Sequence, residues 1–174
     1  MIAVTRVIKR KAKLCVALHT AAPATPCRRP EQNHVRATGV ADVVASVDLA
    51  REYGLVFSIR GGGHNVTGSA VCDGGLMLDL SGMKGIRVDP ERQTARAEPG
   101  CVWAELDHET QAFGPAATGG RASDTGTAGL TLGGGVGQLM RYCGATVDNL
   151  LSIDLVTAAG CLLSVSADRH PDLY

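Results

Sequence analysis

From Gly39 onward, Val40, Val43, Val44, Val47 and Ala50 recur at helical spacing, with Asp42 in the first turn and Gly54 placed to end the run. The pattern predicts an amphipathic helix. It leads into a short β-rich run over residues 55–59 that delivers the chain to a glycine cluster at Gly61. A further strand is expected over residues 76–80. A hairpin should follow from residues 86–88 and 94–97 around the turn Asp89-Pro90-Glu91-Arg92. After Pro99-Gly100, the residues Val102, Trp103, Leu106 and Thr110 share one face of a short helix, on which Trp103 is expected to be buried. A second glycine-dense run covers residues 119–137. Residues 150–157 and 161–165 then read as two strands joined at Ala158-Ala159-Gly160. Helices and strands do not alternate strictly, so the expected class is α+β.

Composition changes this picture little. At 174 residues the chain fits one domain with one core, and 45% apolar residues are globular. Aromatics are only 3% while glycines number 22, so turns rather than large rings shape the fold. No apolar stretch approaches the ~20 residues that span a bilayer, and no membrane association is expected. Net charge is zero, but residues 1–30 hold seven Lys/Arg and no acid, leaving ten basic against seventeen acidic residues in the rest. An acidic body argues against nucleic acid, whose phosphates reward a clustered basic face. The basic segment over residues 1–33 lacks an apolar core and a cleavage pattern, so an unstructured or poorly fitting tail is expected there. Cys15, Cys27, Cys72, Cys101, Cys143 and Cys161 form no C-x-x-C pair or metal-like spacing; free, mostly buried thiols are expected and no metal. His108 and His170 read as solvated surface residues without a role.

Two constellations can carry chemistry. The first, Arg60-Gly61-Gly62-Gly63-His64-Asn65-Val66-Thr67-Gly68, follows a predicted strand. Glycines there let backbone N–H groups turn toward one point, which binds a pyrophosphate with few side chains. A loop that merely needs positive φ reads the same way. The second begins Thr118-Gly119-Gly120-Arg121-Ala122-Ser123-Asp124-Thr125-Gly126-Thr127-Ala128-Gly129 and continues through Leu132 into Gly133-Gly134-Gly135-Val136-Gly137. Its hydroxyls and amides suit phosphate or ring oxygens, and the glycines keep the wall thin; a flexible Gly/Thr linker is the plain alternative. Neither run fits a Rossmann or P-loop fingerprint. Met140 sits where Gly135-Val136-Gly137 needs a third glycine, and no G-K-[ST] occurs.

Taken together with Leu78-Asp79-Leu80, Val88-Asp89, Pro99-Gly100-Cys101-Val102-Trp103 and Val147-Asp148-Asn149-Leu150-Leu151, these runs resemble the berberine-bridge-enzyme-like FAD-linked oxidoreductases. That family sits within the vanillyl-alcohol oxidase and para-cresol methylhydroxylase (PCMH) group. The resemblance covers residues 34–174. It implies a two-lobed α+β PCMH-type FAD-binding domain whose glycine loops hold the cofactor. The implied FAD-binding residues are Arg60, Gly61, Gly62, Gly63, His64, Asn65 and Gly68 from the first loop. From the second they are Gly119, Ser123, Asp124, Thr125, Gly126, Gly129, Leu132, Gly133, Gly134 and Gly137.

His64 matches the histidine that members of the family attach covalently to the flavin 8α-methyl group. A neutral imidazole is nucleophilic near neutral pH, and the linkage raises the flavin's oxidising power. Some members add a second bond from a cysteine; Ala122 occupies that position, so one linkage is expected, with Cys143 left to packing. Relatives continue beyond the position of Tyr174 with another flavin-contacting segment, a substrate domain and the catalytic acid/base residues. The FAD domain is therefore expected to be incomplete and the substrate domain absent, and no catalytic base can be named. The expected activity is hydride removal from an alcohol, sugar or related small molecule. The alternatives are a non-catalytic flavin- or nucleotide-binding module or an inactive remnant, and a plain α+β domain without ligand.

Overall fold

A computed structural model describes residues 3–7 and 33–174. The chain builds two sheets. The smaller is parallel, ordered β2 (Asn33–Arg36), β4 (Leu76–Asp79), β3 (Phe57–Arg60). Its central strand reads Leu-Met-Leu-Asp and is almost wholly buried, as a parallel strand covered on both faces must be. Helix α1 (Val40–Glu52) lies on this sheet and buries Val43, Ser46, Val47 and Ala50. The Thr38 N–H and hydroxyl both donate to Asp42 Oδ2, at 2.8 and 2.9 Å, tying down its first turn. Gly54, at φ 60°, follows the helix end as the sequence pattern requires.

The larger sheet is antiparallel and ordered β5 (Ile86–Asp89), β6 (Thr94–Ala97), β1 (Ala3–Val7), β7 (Leu150–Val156), β8 (Leu162–Val165). Helices α2 (Trp103–Gln111) and α3 (Thr127–Leu132) flank it, and α4 (Met140–Cys143) is a single turn. Trp103, Leu106, Ala95, Ala97, Ile153, Leu155 and Val165 share one core. Val43, Val47, Leu78, Leu80 and Met83 form the other. Val156, at the end of β7, packs into the smaller lobe's core and so stitches the lobes together. The bare class and the two-lobed plan agree with the α+β expectation.

The tail anticipated over residues 1–33 does not describe Ala3–Val7, which pairs with both β6 and β7 in the middle of the larger sheet. Its basic neighbours masked a run rich in β-branched residues that suits a strand. Residues 8–32 lie outside the described residues. The expectation of mostly buried thiols holds for Cys101 alone among the described cysteines. Cys72 and Cys143 are half-buried and Cys161 is exposed; Cys15 and Cys27 lie outside the described residues. Burial pushes the Cys101 thiol up to about 11, so it stays protonated and unreactive. Among the described residues no helix is long and apolar enough to cross a membrane.

Helix α2 carries one destabilising charge. Burial raises the Asp107 carboxyl to about 6, against an ordinary value near 3.9. The folded chain therefore holds a proton that the unfolded chain has released. The stability that this proton preserves is fully present below about pH 4 and is lost as pH rises through about 6, so the charge destabilises the fold above that range. Asp107→Asn is expected to raise unfolding free energy by about 1 kcal/mol at pH 8 and to change little at pH 4. Urea unfolding at the two pH values checks this, and a loss of stability at pH 8 would contradict it.

Candidate functional site

Strand β3 ends at Arg60 and releases the first glycine loop at the rim between the two sheets. Beneath the loop lies Asp79, only 3% exposed. Burial opposes its charge, but the Ser81 N–H, donating at 3.0 Å, and the nearby Arg60 and Arg36 guanidinium groups outweigh that cost. Its carboxyl is held below the usual carboxylate range. Arg60 Nη1 lies 3.4 Å from Asp79 Oδ1. The same guanidinium passes under Gly63, where a Cβ would meet it at 3.2 Å. The arginine thus props the loop from below.

The loop itself is bent by Gly63 and Gly68, at φ 80° and 76°, values that disfavour any side chain. Asn65 closes it. Its Oδ1 accepts from the Ser69 N–H at 2.9 Å and from the Thr67 hydroxyl at 2.9 Å. None of the backbone N–H groups of residues 61–67 has an acceptor among the described residues. They form a row of donors with spare capacity on an exposed loop.

The second loop, residues 118–126, is pinned to the start of α2. Trp103 N–H donates to Thr125 O at 3.0 Å, Ala104 N–H to Ser123 O at 2.7 Å, and Thr127 N–H to Cys101 O at 2.9 Å. The two loops then touch backbone to backbone at Gly62 and Gly126. A Cβ built on Gly126 would lie 2.6 Å from Gly62 N and 2.8 Å from its Cα, and one on Gly62 fares no better. Just above this crossing, His64 Nε2 lies 3.1 Å from Asp124 Oδ1. That oxygen is buried, and no aligned hydrogen bond reaches it.

A second crossing supports the first. A Cβ on Gly137 would overlap the Gly119 carbonyl, and one on Gly119 would strike the Trp103 ring at 2.6 Å. Gly134 and Gly135 turn the chain at φ 95° and 76°. Thr146 Oγ1 donates to Thr118 O at 2.7 Å, and Thr118 Oγ1 donates to Gly144 O at 3.2 Å, lacing the turn to the second loop.

The sequence-derived site residues therefore separate into groups. Gly61, Gly62 and Gly126 make the crossing, and Gly63, His64, Asn65 and Gly68 ride above it. Ser123 is exposed, whereas Asp124 and Thr125 are half-buried beside them. Gly129, Leu132 and Gly133 lie exposed on or just after α3. Gly119, Gly134 and Gly137 belong to the second crossing, where close packing already demands glycine at Gly119 and Gly137. Asp79 and Thr118, which stand in the sequence motifs without a site role, and Thr146, which the sequence does not single out, support the loops. A lone acid ending an apolar strand was the available signal for Asp79.

Residues 32–166 match the model of the FAD binding domain family. The chain belongs to that family. An FAD-linked oxidoreductase of Dictyostelium discoideum is 41% identical over 134 residues, covering 77% of this chain and 29% of the relative. The crystal structure of 6-hydroxy-D-nicotine oxidase from Arthrobacter nicotinovorans superposes with a TM-score of 0.80 at 39% identity, covering 84% of this chain and 33% of that one. A wild-type BBE-like protein of Physcomitrella patens gives 0.77 at 32% identity, over 81% and 31%. The resemblance to berberine-bridge-enzyme-like FAD-linked oxidoreductases thus holds, as does the PCMH-type fold. The chain spans about 30% of the length of the relatives it matches.

The site's chemistry fits the cofactor of this family. Spare backbone donors suit a pyrophosphate, the glycine crossings bring two loop backbones into close contact, and an exposed imidazole stands beside the first of them.

Proposed function

We propose that this chain holds FAD along the crossing of its two glycine loops and carries it covalently through His64, as the cofactor-binding part of an oxidoreductase. The observation that carries the reading is the row of N–H groups at residues 61–67, unpartnered among the described residues and placed where Gly62 meets Gly126 and His64 stands exposed. These donors take the pyrophosphate, with Gly63 and Gly68 giving the loop its curvature. Ser123 and Thr125 offer hydroxyls from the opposite loop. When bound, the flavin supplies hydride acceptance from a small molecule such as an alcohol or sugar and passes electrons to an acceptor. His64 provides the nucleophilic nitrogen for the link to the 8α-methyl group. Ala122 offers no nucleophile for a second bond.

Flavin retention under denaturation tests the reading. The purified chain is incubated with FAD, precipitated with acid and washed. The wild-type pellet is expected to keep the flavin absorption spectrum and the His64→Ala pellet to lose it. A colourless wild-type pellet would contradict the covalent link; colour in both would move the link to another residue.

A further inference from the structure

We propose that Asp124 is the positioning residue for His64: its buried Oδ1 accepts the Nε2 proton of the imidazole and leaves Nδ1 as the nucleophilic nitrogen that takes the flavin. The inference rests on the covalent reading above and deepens it.

Three observations carry it. First, His64 Nε2 and Asp124 Oδ1 are 3.1 Å apart although they lie on different loops, brought together by the Gly62–Gly126 crossing. Secondly, that oxygen is sealed from solvent and has no hydrogen-bond partner in line among the described residues, so a small rotation of the ring gives it one. A buried carboxylate oxygen left unmatched costs about 1–3 kcal/mol, which favours that rotation. Thirdly, Asp124 makes no other side-chain hydrogen bond or ion pair among the described residues, so the fold does not otherwise require its carboxylate.

The tautomer of a histidine is set by the bond its other nitrogen makes. An acceptor at Nε2 fixes the proton there and leaves the lone pair on Nδ1. Attachment then balances as follows. A C–H bond of the 8α-methyl group breaks and an Nδ1–C8α bond forms. The methyl hydrogen leaves as a proton, and the imidazole loses its Nε2 proton toward Asp124 as Nδ1 becomes substituted. The two electrons stay on the isoalloxazine ring, which takes up the two released protons, one of them passed on by Asp124, and is thereby reduced. Dioxygen re-oxidises it and becomes hydrogen peroxide. A carboxylate at Nε2 assists because the imidazole gains positive charge as the bond forms, and the carboxylate stabilises that charge and accepts the proton.

The test uses the full chain with FAD at saturation, so that differences in affinity drop out. The rate at which flavin becomes acid-stable is followed in wild type, Asp124→Asn and Asp124→Ala. Both variants are expected to be slower by about tenfold or more, the usual scale for removing a carboxylate that orients a histidine. Nitrogen-15 correlation spectra of FAD-free protein read the tautomer directly, with His64 identified by its loss in His64→Ala. Wild type is expected to show Nε2–H, and Asp124→Ala a mixture of tautomers. Equal attachment rates, or an unchanged tautomer in Asp124→Ala, overturn the role of Asp124. If wild type attaches no flavin, the covalent reading fails, and the tautomer spectrum alone decides whether Asp124 positions the ring.

Discussion

Replacing Gly62 by alanine is expected to lower the unfolding free energy by at least about 3 kcal/mol, the upper range for forcing a methyl group into a filled site. Gly62 does not adopt a positive φ, so backbone conformation is not the obstacle. The obstacle is space. The new Cβ would fall on the backbone N and Cα of Gly126, and backbone cannot rotate aside as a side chain tip can. Gly126 is fixed by its bridge to Val102 and by the Thr127 N–H and hydroxyl bonds to Cys101 O, at 2.9 and 3.1 Å. Gly62 lies two residues beyond β3, whose register with β4 is set from Phe57 to Arg60. The strain therefore spreads into both sheets. Gly129→Ala provides the contrast. It sits inside α3 with nothing within 4 Å of its Cβ position, and alanine there should add about 0.5–1 kcal/mol through helix propensity. Urea midpoints without FAD compare the two. A Gly62→Ala chain as stable as wild type would mean that the loops do not cross in this way.

Gly137→Ala is expected to cost a similar amount, at least about 3 kcal/mol, and to disturb the single tryptophan as well. Its Cβ would overlap the Gly119 carbonyl oxygen and lie 2.7 Å from the carbonyl carbon. Gly119 cannot retreat, because its own far side faces the ring of Trp103, which is 1% exposed in the larger core. Relief must come from breaking the Thr118–Thr146 lacing or from shifting the indole. Either route exposes the ring. A red shift in tryptophan emission should accompany the lost stability, and an unchanged spectrum with unchanged stability would contradict the second crossing.

Local periodicity made much of this fold legible. The helical valines before Gly54, the Leu-Met-Leu strand, the hairpin around Pro90 and the two strands flanking Gly160 all emerge as expected. Elements with little apolar content did not. Strand β2 reads Asn-His-Val-Arg, with one apolar residue and no alternation to detect. Helix α3 is six residues long with Gly129 inside it, so it was indistinguishable from the glycine run around it. Strand β1 was hidden by basic neighbours. The site divides in the same way. Glycine loops and His64 announce themselves as motifs, whereas the His64–Asp124 approach joins positions sixty residues apart and exists only because two loops cross. No spacing rule reports that. The support of the loop by Asp79 and Arg60 likewise depends on the parallel pairing of β3 with β4, which sequence patterns do not specify.

The central claim is that the glycine-loop crossing in this chain binds FAD. Titrating FAD into the purified wild-type chain while following flavin fluorescence tests it most directly. Saturable quenching at one flavin per chain is the predicted result. A chain that is folded by circular dichroism yet leaves flavin fluorescence unchanged through the titration would contradict the claim.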